Sequence, residues 1–170
     1  MNKRKLLWLT TSAMIAAVYL VLTMLFYATS FQPMQSRLAE ALTVLPYFTP
    51  VAIPGLFVGC ILANIIGGYG IIDIVVGSLT TLLAAFLTYK LTYGKPGRKW
   101  LAPLPPVVLN AVIVGAELNY LSGTPSWGAF LGIMTSVGVG QIIACYIVGL
   151  PLMYLLEKSK KIGELFRRIS

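Results

Sequence analysis

Long apolar segments separated by short polar turns follow one another along nearly the whole chain. A helix that crosses a hydrocarbon core of about 30 Å needs roughly 20 largely apolar residues, so the longer segments can each cross a membrane. Prolines, glycine turns and charge runs mark the boundaries between them. The pattern predicts an all-α membrane protein with six transmembrane helices, over about residues 6–28, 37–46, 50–66, 71–91, 101–121 and 127–156.

The second predicted span is the weakest of the six. It covers about residues 37–46 and ends at Pro46, a marginal length for a full crossing unless it tilts against its neighbours or is completed by the preceding loop. The charged tail, 157–170, is predicted to form a helix at the membrane interface. Because no internal repeat or second domain is visible, residues 1–170 are predicted to form a single transmembrane domain.

Composition argues against both a soluble protein and an enzyme. Of the 170 residues, 58% are hydrophobic and 11% charged, which leaves too little polar surface for a soluble domain. The chain lacks histidine, GxSxG, HExxH and a phosphate-binding loop, so we expect no catalysis, no ATPase of its own and no cofactor. Cys60 and Cys145 lie in apolar runs without CxxC spacing and are predicted to be buried free thiols.

Charge predicts the orientation of the six helices. Twelve of the thirteen basic residues fall into three groups, at 3–5, 90–99 and 158–168. With six spans these groups share one face, which the positive-inside rule assigns to the cytoplasm together with both termini. We expect a multi-pass protein of the bacterial plasma membrane. The net charge of +8 then reflects topology and contact with the lipid bilayer, not nucleic-acid binding.

The remaining basic residue, Arg37, falls at the opposite, outer face with Glu40, Asp73 and Glu117. Ionisable groups within membrane spans usually face the bundle interior or a water-filled cavity. Arg37 and Glu40 are three residues apart, so on a helix they could pair; the pair could bind a ligand or only neutralise itself. Asp73 could bind a ligand or stabilise the N-terminus of its own helix.

Glu117 lies near the outer end of an otherwise apolar helix with no basic residue nearby in the sequence. Asn110 precedes it by seven residues and shares its face, which favours a ligand-facing helix. The further candidates for solute binding are Asn64, Tyr120, Gln141 and Trp127. Gln141 could instead join two helices by a hydrogen bond, and Trp127 could anchor the chain at the membrane interface. Together these residues predict an outward-opening pocket for a planar, hydrogen-bonding, cationic solute, with Phe31, Tyr120 and Trp127 available for stacking.

Small residues recur every four positions on three of the helices. One row is Ala13 and Ala17; a second is Gly55, Gly59 and Ala63; a third is Gly128, Gly132, Ser136, Gly140 and Ala144. Such rows let helices approach closely in lipid. Internal packing is the simplest explanation for the second and third rows, whereas the first could also dock a partner subunit.

In its middle section the sequence resembles the QueT family of substrate-binding S components of energy-coupling factor (ECF) transporters. The resemblance rests on RLAEALTVLP at 37–46, AIPGLFVGC at 52–60 with Asn64, and DIVVGSLTTL at 73–82. It also includes the AxxxA of the first helix, the short second helix and the basic loop. Toward the C-terminus only the general architecture is similar.

The resemblance implies uptake of a queuosine precursor, 7-aminomethyl-7-deazaguanine (preQ1) or a close relative, with a transmembrane coupling subunit and two ATPase subunits as partners. On this hypothesis Glu40 and Glu117 bind polar edges of the solute, Asp73 and Asn110 complete the site, and the loop 29–35 gates it. Ala13 and Ala17 would dock on the coupling subunit. Two alternatives remain open: a carrier, S component or solitary, for another vitamin-like solute, and a membrane scaffold protein without a solute.

Overall fold

The computed structural model describes residues 2–27, 37–68 and 70–169, apart from the side chains of 160, 167 and 168, and within these limits it contains helices and no strands. The helices run as follows: α1, Lys3–Leu25; α2, Leu38–Tyr47; α3, Ala52–Gly67; α4, Ile71–Thr92; α5, Pro96–Leu121; α6, Trp127–Lys158; and α7, Lys160–Ile169.

Four of these helices, α1, α4, α5 and α6, are long and apolar enough to cross a membrane. The apolar helices α2 and α3 are shorter, with 10 and 16 residues. At a rise of 1.5 Å per residue, α3 is about 24 Å long. The described residues are therefore all-helical, as predicted, and their four long apolar helices agree with a membrane protein. Six complete crossings with both termini in the cytoplasm remain a prediction.

The predicted span boundaries agree with the helices to within about three residues, except at α5. This element begins at Pro96, not near residue 101, because a 3₁₀ turn over Pro96–Leu101 precedes its α-helical part. Both α5 and α6 contain a wide π-helical stretch, Asn110–Val114 and Ile143–Gly149 respectively. Such stretches are frequent at functional sites.

The short helix α2 forms the centre of the bundle. It is a 3₁₀ helix along its whole length and continues through Pro46, where the sequence predicted the end of a helix. Runs of this length are uncommon in 3₁₀ geometry, but the rise of about 2.0 Å per residue extends ten residues over about 20 Å. Each residue from 39 to 46 is buried, because α1, α3, α4 and the π-helical part of α6 surround α2.

The row of small residues on α3 packs inside the bundle, as predicted. A Cβ atom added at Gly55 would lie 2.7 Å from the Ser12 carbonyl oxygen, and one at Gly59 would lie 2.8 Å from Tyr19 Cβ. Only glycine permits this approach of α3 to α1. The first-row residues Ala13 and Ala17 are exposed, whereas Ala16 of the same helix faces α3.

The same prediction is wrong for the first half of the row on α6. Among the described residues, no atom lies within 4 Å of a Cβ added at Gly128 or Gly132, although Gly140 and Ala144 are buried. Instead, α6 approaches its neighbours through glycines outside the row. An added Cβ would lie 3.5 Å from Ala111 Cβ at Gly138, and 3.1 Å from Val44 Cγ1 at Gly149.

The three basic groups come together at one end of the bundle. Lys99 Nζ lies 2.6 Å from Glu157 Oε2, which joins the 3₁₀ turn at the start of α5 to the end of α6. The tail forms helix α7, as predicted, and the ring of its Phe166 stacks on Phe48 at 5.7 Å. At the opposite end, the Tyr27 hydroxyl donates to the Gly67 carbonyl at 3.2 Å.

The approach of α1 to α3 predicts a matched pair of glycine variants. We expect Gly59→Ala to lower the melting temperature of the detergent-purified protein, because the added methyl group overlaps α1, and overpacking of this kind costs about 1–3 kcal/mol. Gly132→Ala adds the same atom to open space and gains about 1 kcal/mol of helix propensity, so its melting temperature should stay level or rise. Equal changes in the two variants would contradict the packing described here.

Candidate functional site

A cluster of polar side chains lies inside the bundle, and none of its members exposes more than 6% of its surface. We call this cluster the polar core. It contains Tyr19, Arg37, Glu40, Asn64, Asp73, Thr81, Asn110 and Glu117. These residues come from α1, the start of α2, and α3, α4 and α5. Six of the sequence-predicted site residues are among them.

Arg37 and Asp73 form the ion pair of the polar core. One guanidinium nitrogen of Arg37 lies 3.3 Å from Asp73 Oδ1, and another donates to Asn64 Oδ1 at 2.8 Å. Asn64 Nδ2 in turn donates to the Asp73 backbone carbonyl at 2.9 Å. The sequence predicted that Arg37 could pair with Glu40. However, Arg37 precedes the first turn of α2, so the three-residue spacing does not place the two on one helical face.

Gly77 makes room for this arrangement one turn after Asp73. A Cβ atom at Gly77 would lie 2.9 Å from Asn64 Nδ2 and 3.5 Å from Asp73 Oδ1. Asp73, Gly77 and Thr81 follow one another every four residues, so they share one face of α4. This face therefore lines the polar core over two turns.

Glu40 lies deeper in the bundle and is held by two hydroxyl groups. Tyr19 donates to Glu40 Oε1 in a short hydrogen bond, and Thr81 donates to the same oxygen at 3.3 Å. The Glu40 backbone carbonyl accepts from Thr43 at 2.5 Å and from the Cys145 thiol at 3.5 Å. The carboxyl group is thus fixed by α1 and α4, while its backbone is fixed to α6.

Sequence reasoning missed Tyr19 and Thr81. A usable signal was present for both, because Tyr19 lies four residues after Ile15 on the buried face of α1, and Thr81 lies eight residues after Asp73. Cys60 and Cys145 are free and buried, as predicted, and Cys60 Sγ lies 3.4 Å from Thr81 Oγ1.

Several buried polar atoms have no hydrogen-bond partner among the described residues. Four are carboxyl oxygens, and the others are an amide nitrogen and a hydroxyl: Glu40 Oε2, Asp73 Oδ2, Glu117 Oε1 and Oε2, Asn110 Nδ2, and Ser78 Oγ. Burying such groups unpaired costs roughly 1–3 kcal/mol each, and native proteins contain few of them. Unpaired acceptors at this density suit an interior that receives hydrogen-bond donors from a ligand.

The charges of the polar core are also unbalanced within the described part of the chain. Three carboxyl groups, from Glu40, Asp73 and Glu117, face the single guanidinium of Arg37. Since Arg37 is paired with Asp73, the carboxyl groups of Glu40 and Glu117 have no ion-pair partner among the residues that the structure describes. A cationic ligand would offset this surplus of acid.

The other predicted site residues lie elsewhere. Gln141 is buried on α6, where its Oε1 accepts from the Cys145 thiol at 3.5 Å. Tyr120 and Trp127 are 68% and 82% exposed, so the structure does not bring them into the polar core. Trp127 packs edge-on against Phe130 and lines a surface groove with Asn119. Phe31 and the predicted gating loop 29–35 lie outside the described residues.

The fold and the polar core together define an all-helical membrane protein that keeps charged side chains in its interior. In membrane proteins such residues usually face solute or ion pathways. The class indicated is therefore a membrane transport protein.

The family model for the QueT transporter matches residues 9–158. The chain therefore belongs to the QueT transporter family, and this membership implies a carrier and not an enzyme. A similar protein is the Queuosine precursor transporter QueT of Lactococcus lactis subsp. cremoris (strain MG1363). It is 28% identical over 158 residues, which cover 84% of this chain and 93% of that protein. No solved structure matches the chain.

The buried ion pair predicts a specific pattern in a double-mutant cycle. Arg37→Met leaves Asp73 buried without its partner, and Asp73→Asn removes the charge that holds Arg37, so each single change should destabilise the protein by about 3–5 kcal/mol. The double variant should lose less than the sum of the two, which equilibrium unfolding in detergent would measure.

The exposed pair of Lys99 and Glu157 provides the control for this cycle. Its side chains are 24% and 38% exposed, so Lys99→Met should cost only about 0–1 kcal/mol. If Arg37→Met destabilised the protein as little as Lys99→Met, the ion pair of the polar core would not have the structural role assigned to it.

Proposed function

We propose that the chain is the substrate-binding S component of an ECF transporter and that it takes up preQ1 from the outer face of the membrane. The observation that carries the proposal is the set of carboxyl oxygens in the polar core that have no hydrogen-bond partner within the described part of the chain. Family membership supports a transporter, and the name of the Lactococcus lactis relative supports a queuosine precursor as the solute.

The chemistry of preQ1 is complementary to the polar core. Its aminomethyl group is an ammonium at neutral pH, and its guanine edge offers N–H donors beside a carbonyl acceptor. Three acceptors have no hydrogen-bond partner among the described residues: Glu40 Oε2 and both carboxyl oxygens of Glu117. The donor Asn110 Nδ2 also has no hydrogen-bond partner among them. We propose that the carboxyl groups bind the ammonium and the N–H groups, and that Asn110 donates to the solute carbonyl.

Arg37 and Asn64 have a different proposed role. Arg37 donates to Asp73 Oδ1, and Asn64 accepts from Arg37 and donates to the Asp73 backbone carbonyl. The Asp73 carboxyl group is thus held through Oδ1, while Oδ2 has no hydrogen-bond partner among the described residues. Asp73 can therefore contribute one acceptor to the solute. Gln141 would support the site through Cys145, and Tyr120 and Trp127 would act at the outer surface, where the solute arrives.

The proposed orientation follows from the distribution of charge along the bundle. The three basic groups meet at one end, which we assign to the cytoplasm together with both termini. We propose six crossings of the bacterial plasma membrane. Arg37, Asn64 and Asp73 lie near the other end, since Asn64 is close to the C-terminus of α3 and Asp73 is in the first turn of α4. The solute would thus enter from outside.

Energy for uptake would come from partner subunits. We propose that the exposed Ala13 and Ala17 dock on a transmembrane coupling subunit, which joins the chain to two ATPase subunits. The neighbouring Ala16 belongs to the internal packing of the bundle, because it packs against Gly59 of α3. The two alanines therefore form a small-residue surface that internal packing leaves free, as close approach of another helix requires.

The solute site predicts the effect of removing one carboxylate. Glu117→Gln keeps the shape of the side chain and removes its charge, so preQ1 binding to the purified protein should weaken by roughly 1.5–3 kcal/mol, the value of a charge-assisted hydrogen bond. Isothermal titration calorimetry measures this directly. Glu164→Gln is the control, because Glu164 is exposed on α7 at the opposite end of the bundle.

Two results would contradict the solute assignment. One is a preQ1 affinity no greater than that for guanosine or thiamine in the wild-type protein. The other is unchanged preQ1 affinity in Glu117→Gln, which would remove this residue from the site.

The docking surface predicts a separation of binding from uptake. Ala17→Trp should abolish uptake in cells that contain the coupling and ATPase subunits, because the bulky ring prevents helix approach, while preQ1 binding to the purified protein stays intact. Val75→Trp on α4 is the control, since Val75 is 50% exposed on another helix. If Ala17→Trp lost both activities, the alanines would belong to the internal packing of the bundle.

A further inference from the structure

A second feature, independent of the solute site, lies at the opposite end of the bundle. A surface pocket is formed there by the first turns of α1, the turn after α2 and the end of α7. It is lined by Arg4, Lys5, Trp8, Leu9, Pro50 and Ile169. Two cations, an indole and three apolar side chains thus share one small depression, which we call the basal pocket.

The basal pocket is built into the fold, because α7 is anchored beside it. Ile169 is only 3% exposed and packs in one cluster with Val51 and Phe166. The ring of Phe166 stacks on Phe48 in the same turn after α2. The walls on the α2 and α7 sides are therefore fixed by buried contacts, while Arg4 and Lys5 on the α1 side are exposed side chains.

An apolar groove occupies the next turns of α1 toward the membrane interior. Its α1 side is lined by Thr11, Met14, Ile15 and Val18. Its other sides are apolar side chains of α2, α6 and α7: Leu42, Leu45, Leu152, Leu156, Ile162, Leu165 and Phe166. Arg4, Trp8, Thr11, Ile15 and Val18 are spaced by four, three, four and three residues, so they form one stripe along the helix. The stripe begins with a cation at the membrane surface, passes an indole and ends with apolar residues.

This order of groups matches an anionic phospholipid. The phosphate would lie between Arg4 and Lys5, the glycerol region beside Trp8, and an acyl chain along the apolar groove. Tryptophan favours the interfacial depth at which the glycerol lies. Basic residues at the membrane surface attract anionic lipid.

We propose that the basal pocket and the apolar groove bind one anionic phospholipid, which ties the start of α1 to helix α7. The inference concerns a surface that the proposed transport function does not use. Solute binding in the polar core does not depend on it.

Fluorescence quenching can test the proposal on the full chain. A double variant that combines Trp100→Phe with Trp127→Phe retains Trp8 as its single tryptophan. This variant is placed in nanodiscs that contain either phosphatidylglycerol or phosphatidylcholine with brominated acyl chains. We expect brominated phosphatidylglycerol to quench Trp8 at about tenfold lower mole fraction, because two basic residues favour the anionic headgroup. Equal quenching by the two lipids would overturn the proposal.

Charge-matched variants identify the residues responsible. Arg4→Gln with Lys5→Gln should remove the preference for phosphatidylglycerol. Lys90→Gln with Lys95→Gln removes the same charge from another part of the same end and should preserve the preference. The basal pocket would not be the lipid site if the variant with Arg4→Gln and Lys5→Gln kept the preference for phosphatidylglycerol. The same holds if both double variants lost this preference equally.

Discussion

The structure depends on keeping the carboxyl group of Glu40 in the centre of a membrane-embedded bundle. A charge at this depth is costly unless other groups bond to it, and here the hydroxyl groups of Tyr19 and Thr81 do so. Those bonds join α1 and α4 to α2. The glycines of α3 bring α1 close enough for Tyr19 to reach Glu40, and the 3₁₀ geometry of α2 extends a short segment through the core. The packing of α1, α3 and α4 around α2 therefore determines the position of the Glu40 carboxyl group.

Leaving acceptors unpaired is the functional counterpart of this constraint. Glu40 bonds to Tyr19 and Thr81 through one carboxyl oxygen, and Asp73 bonds to Arg37 through one of its own. The second oxygen of each group has no partner among the residues described. Each carboxyl group can therefore be positioned by the protein and still bind a solute. Glu117 differs, because neither of its oxygens has a partner among the described residues. A solute carrying a cation and N–H donors would complete the bonding of all three.

The number and bounds of the apolar helices could largely be predicted from the sequence. Membrane helices need long apolar runs, and their ends are marked by proline, glycine and charge. The buried acids were also predicted, since a carboxylate within an apolar span requires a polar interior. The partners of these acids were not. The ion pair of Arg37 and Asp73 spans 36 residues, and the hydrogen bond of Tyr19 to Glu40 spans 21, so only tertiary packing decides them. The exposed Gly128 and Gly132 show the same limit, because spacing alone does not reveal which face of a helix is covered.

A structure determined with preQ1 bound would test the role of the polar core directly. We expect the solute to lie in the polar core, with its ammonium or N–H groups at hydrogen-bond distance from Glu40 and Glu117, and with the ion pair of Arg37 and Asp73 intact. A solute held only in the surface groove beside Trp127 and Asn119, with the carboxyl groups of Glu40 and Glu117 untouched, would contradict it.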